Sequence, residues 1–323
     1  MPGAEPEMSS PISSPFELIA PASRRPLLLI GAGLDGSGTA RGETRAPAEL
    51  RAAGLQSRLG ASDFGDLSVE ISDSRIDPAT GIRGFRELVS ASRTLTDAVA
   101  SALAAGWRPV VVGGCCSIVP GSLAGARRHL GPIALAFVDG HLDLFDGETS
   151  QTGEAAGMDL AIAIGHGPVE LTHLAGEAPL VEAADVIAVG DGDHQRRVAF
   201  RAPGPEAFSP DLRVVSCEEI RALGAGTAAA NVAAEISARS APFWLHFDVD
   251  VVDARWMPAV SFPVATGLTW SDVQEILDRV LCSPSLVGLS VAGYNPDQDA
   301  EGVLAERIVD LLAHGLLERP AAS

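Results

Sequence analysis

The chain has no lysine and one tyrosine, and all of its positive charge comes from arginine. With 23 basic against 42 acidic residues, its formal net charge is −19. A surface of this sign repels phosphate groups, so nucleic acids and anionic membranes are disfavoured as partners. Acidity that only aids solubility is the simplest interpretation, and a cationic small molecule is also compatible with it.

Cysteine and long apolar runs are also scarce. The four cysteines, which are Cys115, Cys116, Cys217 and Cys282, show no disulfide framework. No apolar run reaches the length of a transmembrane helix, and residues 1–21 lack the basic and apolar segments of a secretory signal. Hydrophobic residues make up 46% of the chain and the mean hydropathy is +0.21, so we expect a soluble, globular protein of the cytoplasm.

Short apolar segments alternate with amphipathic ones along most of the chain. Residues 243–247 are typical of a buried strand, whereas residues 84–105 repeat apolar side chains at helical spacing. Such alternation predicts a doubly wound, mostly parallel sheet. We expect one domain over residues 26–318, a three-layer α/β/α sandwich, preceded by a flexible arm over residues 1–25.

The end of one predicted strand carries three potential metal ligands. Asp139, His141 and Asp143 follow the apolar residues 133–138, and alternation directs them the same way if the strand geometry persists. Functional groups in doubly wound sheets gather at the carboxyl ends of strands. Two carboxylates and one imidazole suit a divalent ion such as Mn, Fe, Co, Ni or Zn.

A second strand end repeats this chemistry. His246, Asp248 and Asp250 come at the end of another apolar segment. Burying two such clusters without compensation is unfavourable, and a metal ion between them would offset that. His246 lies two residues before Asp248 and therefore on the same strand face. It is a candidate proton carrier, although a core histidine is the commoner role for such a residue.

Together with a third strand end, these segments resemble the ureohydrolase family of arginases and agmatinases. In that family the strand ends read G-G-D-H-S, D-A-H-x-D and S-F-D-x-D, and they hold two Mn ions that activate a hydroxide. Residues 113–117, 139–143 and 246–250 here read G-G-C-C-S, D-G-H-L-D and H-F-D-V-D. The resemblance covers roughly residues 27–316. It implies hydrolysis of a linear guanidine, amidine or N-substituted guanidine to urea, or a substituted urea, and an amine.

The resemblance also implies ligands for two divalent ions, most simply Mn, with Fe, Co, Ni or Zn as alternatives. The implied ligands are Cys116, Asp139, His141, Asp143, Asp248 and Asp250. Cys116 stands where the family has a histidine, and a thiolate favours softer ions than Mn. Asp143 is expected to receive a proton as well and to pass it to the leaving amine.

The residues that would bind the substrate match the family less closely than the metal ligands do. The candidates are Glu148, Thr152, Glu154 and Asp193; residues 148–153 resemble the family's substrate loop. Two family residues that act on substrate are missing. Ala156 stands where arginases have a histidine, and Gly293 stands where most members have a glutamate that pairs with the guanidinium group. An oxygen-substituted guanidine, which has a better leaving group, would need these residues less.

Two other functions are compatible with parts of the sequence. A catalytically inactive relative acting as a regulatory or structural subunit would explain the changes at Cys116, Ala156 and Gly293, but four buried aspartates without a metal would repel one another. A dinucleotide-binding protein is disfavoured because the glycines of residues 31–38 do not have the G-x-G-x-x-G spacing. We therefore expect a metal-dependent enzyme with a small-molecule substrate that forms a homo-oligomer, a trimer or hexamer as is common in the family.

Overall fold

The computed structural model describes residues 25–176, 179–239 and 241–317, so the predicted arm lies, apart from Arg25, outside the described residues. In chain order the strands are β1 (Leu27–Ala32), β2 (Ser62–Asp66), β3 (Arg108–Gly113), β4 (Ala134–Val138), β5 (Val186–Asp191), β6 (Arg213–Ser216), β7 (Phe243–Asp248) and β8 (Leu286–Ala292). The helices are α1 (Ala46–Ala52), α2 (Leu55–Leu59), α3 (Phe85–Ala104), α4 (Val119–Leu130), α5 (Asp159–Ala163), α6 (Val169–Thr172), α7 (His194–Ala199), α8 (Pro205–Phe208), α9 (Cys217–Leu223), α10 (Ala225–Ala238), α11 (Trp270–Leu281) and α12 (Val303–Leu317).

Within the described residues, the eight strands form one sheet in the order β2-β1-β3-β8-β7-β4-β5-β6. Every neighbouring pair is parallel, which confirms the predicted parallel sheet. The central neighbours β3, β8, β7 and β4 therefore end at the same edge. The predicted metal-binding segments follow three of these four strands, so the topology brings them together.

Helices cover both faces of the sheet, which confirms the three-layer sandwich. Along β4, Leu135 and Phe137 belong to one hydrophobic core, together with residues of α3, α4 and α5. Ala134, Ala136 and Val138 belong to the opposite core, with residues of α1, α2 and α9 to α12. This alternation is the pattern of a strand that is buried on both faces.

Two local features differ from what the sequence pattern predicts. β2 is an edge strand with mostly exposed, polar residues, so its sequence carries no apolar signal. α10 begins at Ala225, after Gly224, rather than at residue 228 with a Thr227 cap. Among the described residues, no helix has the length and apolar character to cross a membrane.

Candidate metal centre

The end of β4 and the turn after β7 form one group of potential ligands. Asp139 Oδ1 accepts a hydrogen bond of 2.7 Å from the His141 backbone N–H. Asp250 Oδ2 lies 3.0 Å from His141 Nδ1, and Asp250 Oδ1 accepts a 3.2 Å bond from the Gly140 N–H. The potential ligand atoms of Asp139, His141 and Asp250 all lie within 4.8 Å of one another.

A second, deeper group lies beside the first. Cys116 follows β3, and its Sγ is 2.7 Å from Asp248 Oδ2 and 3.7 Å from Asp139 Oδ2. His246 Nε2 lies 3.3 Å from the same sulfur. Cys116, Asp139, His246 and Asp248 are all buried, with ligand atoms within 4.8 Å of one another. Asp139 therefore belongs to both groups.

The electrostatics of these groups favour a bound cation. Burial, and then the neighbouring Asp250, raises the pKa of Asp248 to about 7. Burial raises the pKa of Asp250 to about 6, although His141 opposes the shift. Burial, and then Asp248, raises the pKa of the Cys116 thiol well above its usual range. A divalent ion would reverse these shifts by compensating the gathered negative charge, and carboxylates, imidazoles and a thiol are suitable donors for it.

Two further aspartates add to this charge. Asp143 is buried, lines the pocket above the ligands and has a left-handed φ of +47°, but it lies outside both groups. Burial, and then Asp139, raises its pKa well above the usual range. Asp159, which the sequence analysis missed, is fully buried, and neither of its side-chain oxygens has a hydrogen-bond partner among the described residues. A cation nearby would favour both carboxylates in their charged form.

The four predicted substrate residues lie at different distances from the ligands. Thr152 and Glu154 line the pocket above them, and Glu154 Oε2 binds Arg41 Nη2 at 2.5 Å. Asp193 Oδ2 lies 3.9 Å from His141 Nε2. Glu148 is exposed and lies outside the residues that line this pocket.

Several residues of the pocket wall carry little signal in the sequence. Glu43 lines the pocket and is only 2% exposed; burial raises its pKa to about 7, although Arg41 and Ser261 oppose the shift. Phe262 lies between two guanidinium groups, with Arg41 5.5 Å and Arg196 5.6 Å from its ring centroid. These residues lie far apart in sequence, Glu43 in a short 3-10 helix (Gly42–Arg45) and Arg196 in α7, so the only available signal was an acidic residue directly after Gly42.

Gly293 follows β8 at the edge of the same pocket. Its φ is +85°, which side-chain-bearing residues rarely adopt. A Cβ atom at this position would lie 2.1 Å from Asp248 Oδ1. The backbone conformation therefore excludes the glutamate that most family members carry here.

Comparisons with known proteins agree with the geometry. The sequence model of the arginase family matches residues 25–317. An arginase from Brevibacillus brevis is 28% identical over 292 residues, which cover 88% of this chain and 95% of that protein. The structure of the arginase from Bacillus caldovelox has a TM-score of 0.81 at 25% identity and covers 92% of this chain and 100% of that one. A proclavaminate amidino hydrolase from Streptomyces clavuligerus shares the fold, with a TM-score of 0.65 at 21% identity and coverage of 95% and 100%. Since the family model spans most of the chain, the chain belongs to the arginase family.

Proposed function

We propose that this protein is a metal-dependent hydrolase that cleaves a C–N bond of a linear guanidine, amidine or N-substituted guanidine. A guanidine would give urea, or a substituted urea, and an amine, whereas an amidine would give an amide and an amine. The observation that carries the proposal is the pair of ligand groups that share Asp139 at the carboxyl edge of the sheet. The pocket above them gives a small molecule access to this edge.

The buried charge fits two divalent ions, with Mn the first candidate. Asp139, His141 and Asp250 would hold one ion, and Cys116, Asp139 and Asp248 offer ligands to the other. When bound, the ions would supply a water of lowered pKa as the nucleophile. Asp193, whose Oδ2 lies 3.9 Å from His141 Nε2, stays a proposed substrate contact.

Asp143 is the proton carrier that we propose. It lines the pocket without belonging to either ligand group. Addition of water forms a C–O bond at the amidine carbon, and cleavage of the C–N bond then releases an amine. Asp143 would take the proton that the water loses and deliver it to the departing nitrogen. His246 is fully buried and does not line the pocket, which disfavours its predicted role as a second proton carrier.

The pocket favours a cationic group attached to a compact or apolar body. Glu43, Thr152 and Glu154 provide acidic and polar surface, whereas Phe145 and Phe262 provide apolar surface. Phe145 stands where arginases contact the amino-acid end of their substrate with a polar group. We therefore expect arginine to be a poor substrate, and rapid urea release from arginine would contradict this.

A catalytically inactive relative that acts as a regulatory or structural subunit remains the second candidate. Its support is that Ala156 and Gly293 both line the pocket where the family has substrate-binding side chains. Metal analysis by mass spectrometry, on tag-free protein purified without chelator, separates the two candidates. Two equivalents of metal, with urea or amine release from a panel of guanidines and amidines, support the enzyme. Protein without metal or turnover after reconstitution with Mn supports the inactive relative.

The proposed enzyme is a cytoplasmic homo-oligomer, a trimer or hexamer. Light scattering of the purified protein tests the assembly, and a monomer at micromolar concentration would contradict it.

A further inference from the structure

His246 is held in one orientation by its neighbours in the sheet. It lies on β7 opposite Ser290 of β8, and its Nδ1 is 2.9 Å from the Ser290 hydroxyl. Trp244 Nε1 donates a 3.1 Å bond to the same hydroxyl. On the other side, the ring stacks on Phe137 of β4, with centroids 5.0 Å apart. The imidazole is fully buried, so these contacts fix the direction of its second nitrogen.

That second nitrogen faces the deeper ligand group. His246 Nε2 is 3.3 Å from Cys116 Sγ and 3.8 Å from Asp139 Oδ2. These neighbours are a thiol and a carboxylate, which are metal-ligand types, rather than a backbone carbonyl or a water-filled surface. A histidine with only a structural role in the core needs one hydrogen-bond partner for each ring nitrogen. Here Nε2 instead points toward the space between the Cys116 thiol and the Asp139 carboxylate.

We propose that His246 is itself a metal ligand, which binds the deeper ion through Nε2 together with Cys116, Asp139 and Asp248. In the family motifs the fourth residue of G-G-D-H-S is a histidine and the first residue of S-F-D-x-D is a serine, but here a cysteine stands at 116 and a histidine at 246. The imidazole is thus supplied from a different strand. Nδ1–H then donates to Ser290, an outer contact that fixes the tautomer as in many metal-bound histidines.

The ligand set changes the metal that the deeper position prefers. One thiolate and one imidazole beside two carboxylates favour a softer ion, such as Zn, Co or Fe(II), over Mn. The outer group, with one imidazole and carboxylates only, keeps a set that suits Mn. We therefore expect the two positions to take up different ions from a mixture.

Substitution of His246 by the family's serine tests this ligand. His246→Ser is expected to lose one of two bound ions in equilibrium dialysis and to weaken the thiolate-to-Co(II) absorption band of the cobalt-loaded protein. The double variant Cys116→His/His246→Ser restores the family arrangement and should regain two ions, with more Mn. Ser290→Ala keeps the imidazole but removes its partner, so the affinity for the deeper ion should fall about 10- to 100-fold. His129→Ser, on the exposed end of α4, is the control.

Two ions bound by His246→Ser with wild-type affinity would overturn the proposal. If that variant does not fold, the unmodified protein decides the question. In Zn-loaded, ¹⁵N-histidine-labelled protein, two of the seven histidines should show metal-bound ring nitrogens. A single shifted histidine would overturn the assignment. Neither readout needs turnover, so an enzyme without detectable urea release leaves the ligand assignment intact.

A second, independent feature of the pocket is the carboxylate of Glu43. Its Oε2 atom is buried and accepts no hydrogen bond among the described residues. Arg41 Nη2 approaches it only to 3.6 Å. That guanidinium is already bound to Asp35 at 2.9 Å and to Glu154 at 2.5 Å. Glu43 therefore lines the pocket with a carboxylate whose buried Oε2 has a cation at 3.6 Å but no hydrogen-bond partner among the described residues.

Glu43 lies close to the position where the family glutamate is missing. The Gly293 N–H donates a 2.8 Å bond to the Gly114 carbonyl. A Cβ atom on Gly114 would in turn lie 3.1 Å from the carbonyl oxygen of Glu43. The segments that carry Glu43 and Gly293 thus pack against the same turn, and both residues line one pocket.

We infer that Glu43 pairs with the cationic amidinium or guanidinium group of the substrate, in place of the side chain that Gly293 lacks. This inference rests on the proposed function, because it assigns the binding partner of that substrate class. A buried carboxylate next to one shared arginine gains a second charge-assisted partner when such a cation binds. The substrate would therefore be held by the short 3-10 helix before α1, Gly42–Arg45, rather than by the end of β8.

Binding of guanidinium ion to the metal-loaded protein tests Glu43 without turnover. In calorimetry at millimolar guanidinium, Glu43→Gln should weaken binding by about 10-fold or more, because a charge-assisted bond is lost. Metal content should not change, and urea, a neutral ligand of similar shape, should bind both proteins equally. Glu49→Gln, on α1, is the control. Equal affinity of wild type and Glu43→Gln for guanidinium, or no binding by the wild type, would overturn the inference.

Discussion

Asp139 is the residue that both ligand groups share. It is 2% exposed, and its two oxygens face different neighbours, the His141 backbone through Oδ1 and Cys116 through Oδ2. Asp139→Asn keeps the size of the side chain but removes its charge, so we expect both ions to be lost. Removal of a group that only orients a metal ligand typically lowers metal affinity or activity 10- to 100-fold. Because Asp139 is a ligand in both groups, we expect activity to fall by about 100-fold or more.

Metal analysis and initial rates check this prediction. Asp211→Asn, an exposed aspartate outside the pocket, is the matched control and should retain both ions. Full metal content in Asp139→Asn would show that the two groups do not depend on a common carboxylate.

Gly293 tests how tightly the pocket edge is constrained. Gly293→Ala places a side chain at a φ of +85° and a Cβ atom 2.1 Å from Asp248 Oδ1. We expect a loss of stability of about 1 kcal/mol or more, together with weaker metal binding, because Asp248 must move. Urea denaturation and metal titration measure the two effects. Gly106→Ala, also at positive φ but with open space around it, controls for backbone strain alone.

Some residues of the site were recognisable from the sequence, and others were not. Asp139, His141, Asp248 and Asp250 were recognisable because they end apolar strands at characteristic spacing, and the structure brings them together. The approach of His246 to Cys116 was not recognisable, because it depends on the order of strands β3, β8 and β7 in the sheet. Glu43 lies in the short 3-10 helix Gly42–Arg45, and its burial arises from tertiary packing.

The start of α11 shows local sequence acting on an element. Thr269 forms a capping box, in which its side chain accepts from the Asp272 N–H and the Asp272 side chain accepts from the Thr269 N–H. Thr269→Ala should lower the free energy of unfolding by about 1 kcal/mol. Chemical denaturation measures the change, and Ser271→Ala, inside the first turn of α11, should have little effect. Equal losses in the two variants would contradict the assignment of the cap.

Most of the helices and strands were predictable from the pattern of apolar residues. α3 and β7 carry strong apolar patterns, and their ends differ by a residue or less from the predicted segments 84–105 and 243–247. β2 escaped prediction because an exposed edge strand needs no apolar face. The start of α10 was misplaced because Gly224, rather than a capping side chain, precedes the helix.

Across the whole molecule, the clustered acids link stability to pH and to metal. In the metal-free protein the pKa of Asp248 is about 7 and that of Asp250 about 6, against 3.8 for an ordinary aspartate. The folded state therefore holds these protons more tightly than the unfolded chain does. Their contribution to stability is complete below pH about 4 and is lost as the pH rises to about 7.

Thermal unfolding in the presence of chelator, measured across this pH range, checks the predicted fall in stability with rising pH. Added Mn should raise the melting temperature more at pH about 7.5 than at pH about 5.5, because the ligands must lose their protons to bind it. Asp248→Asn should flatten the chelator curve. A metal-free protein whose stability is constant between these pH values would contradict the buried charge described above.

The central claim is that two ions lie at the carboxyl edge of this sheet, and anomalous diffraction from crystals of reconstituted protein tests it most directly. We predict two anomalous peaks, one between Cys116, Asp139 and Asp248 and one between Asp139, His141 and Asp250. Crystals reconstituted with saturating Mn and Zn that show no peak at Asp139 would contradict the metal centre and the hydrolase proposed from it.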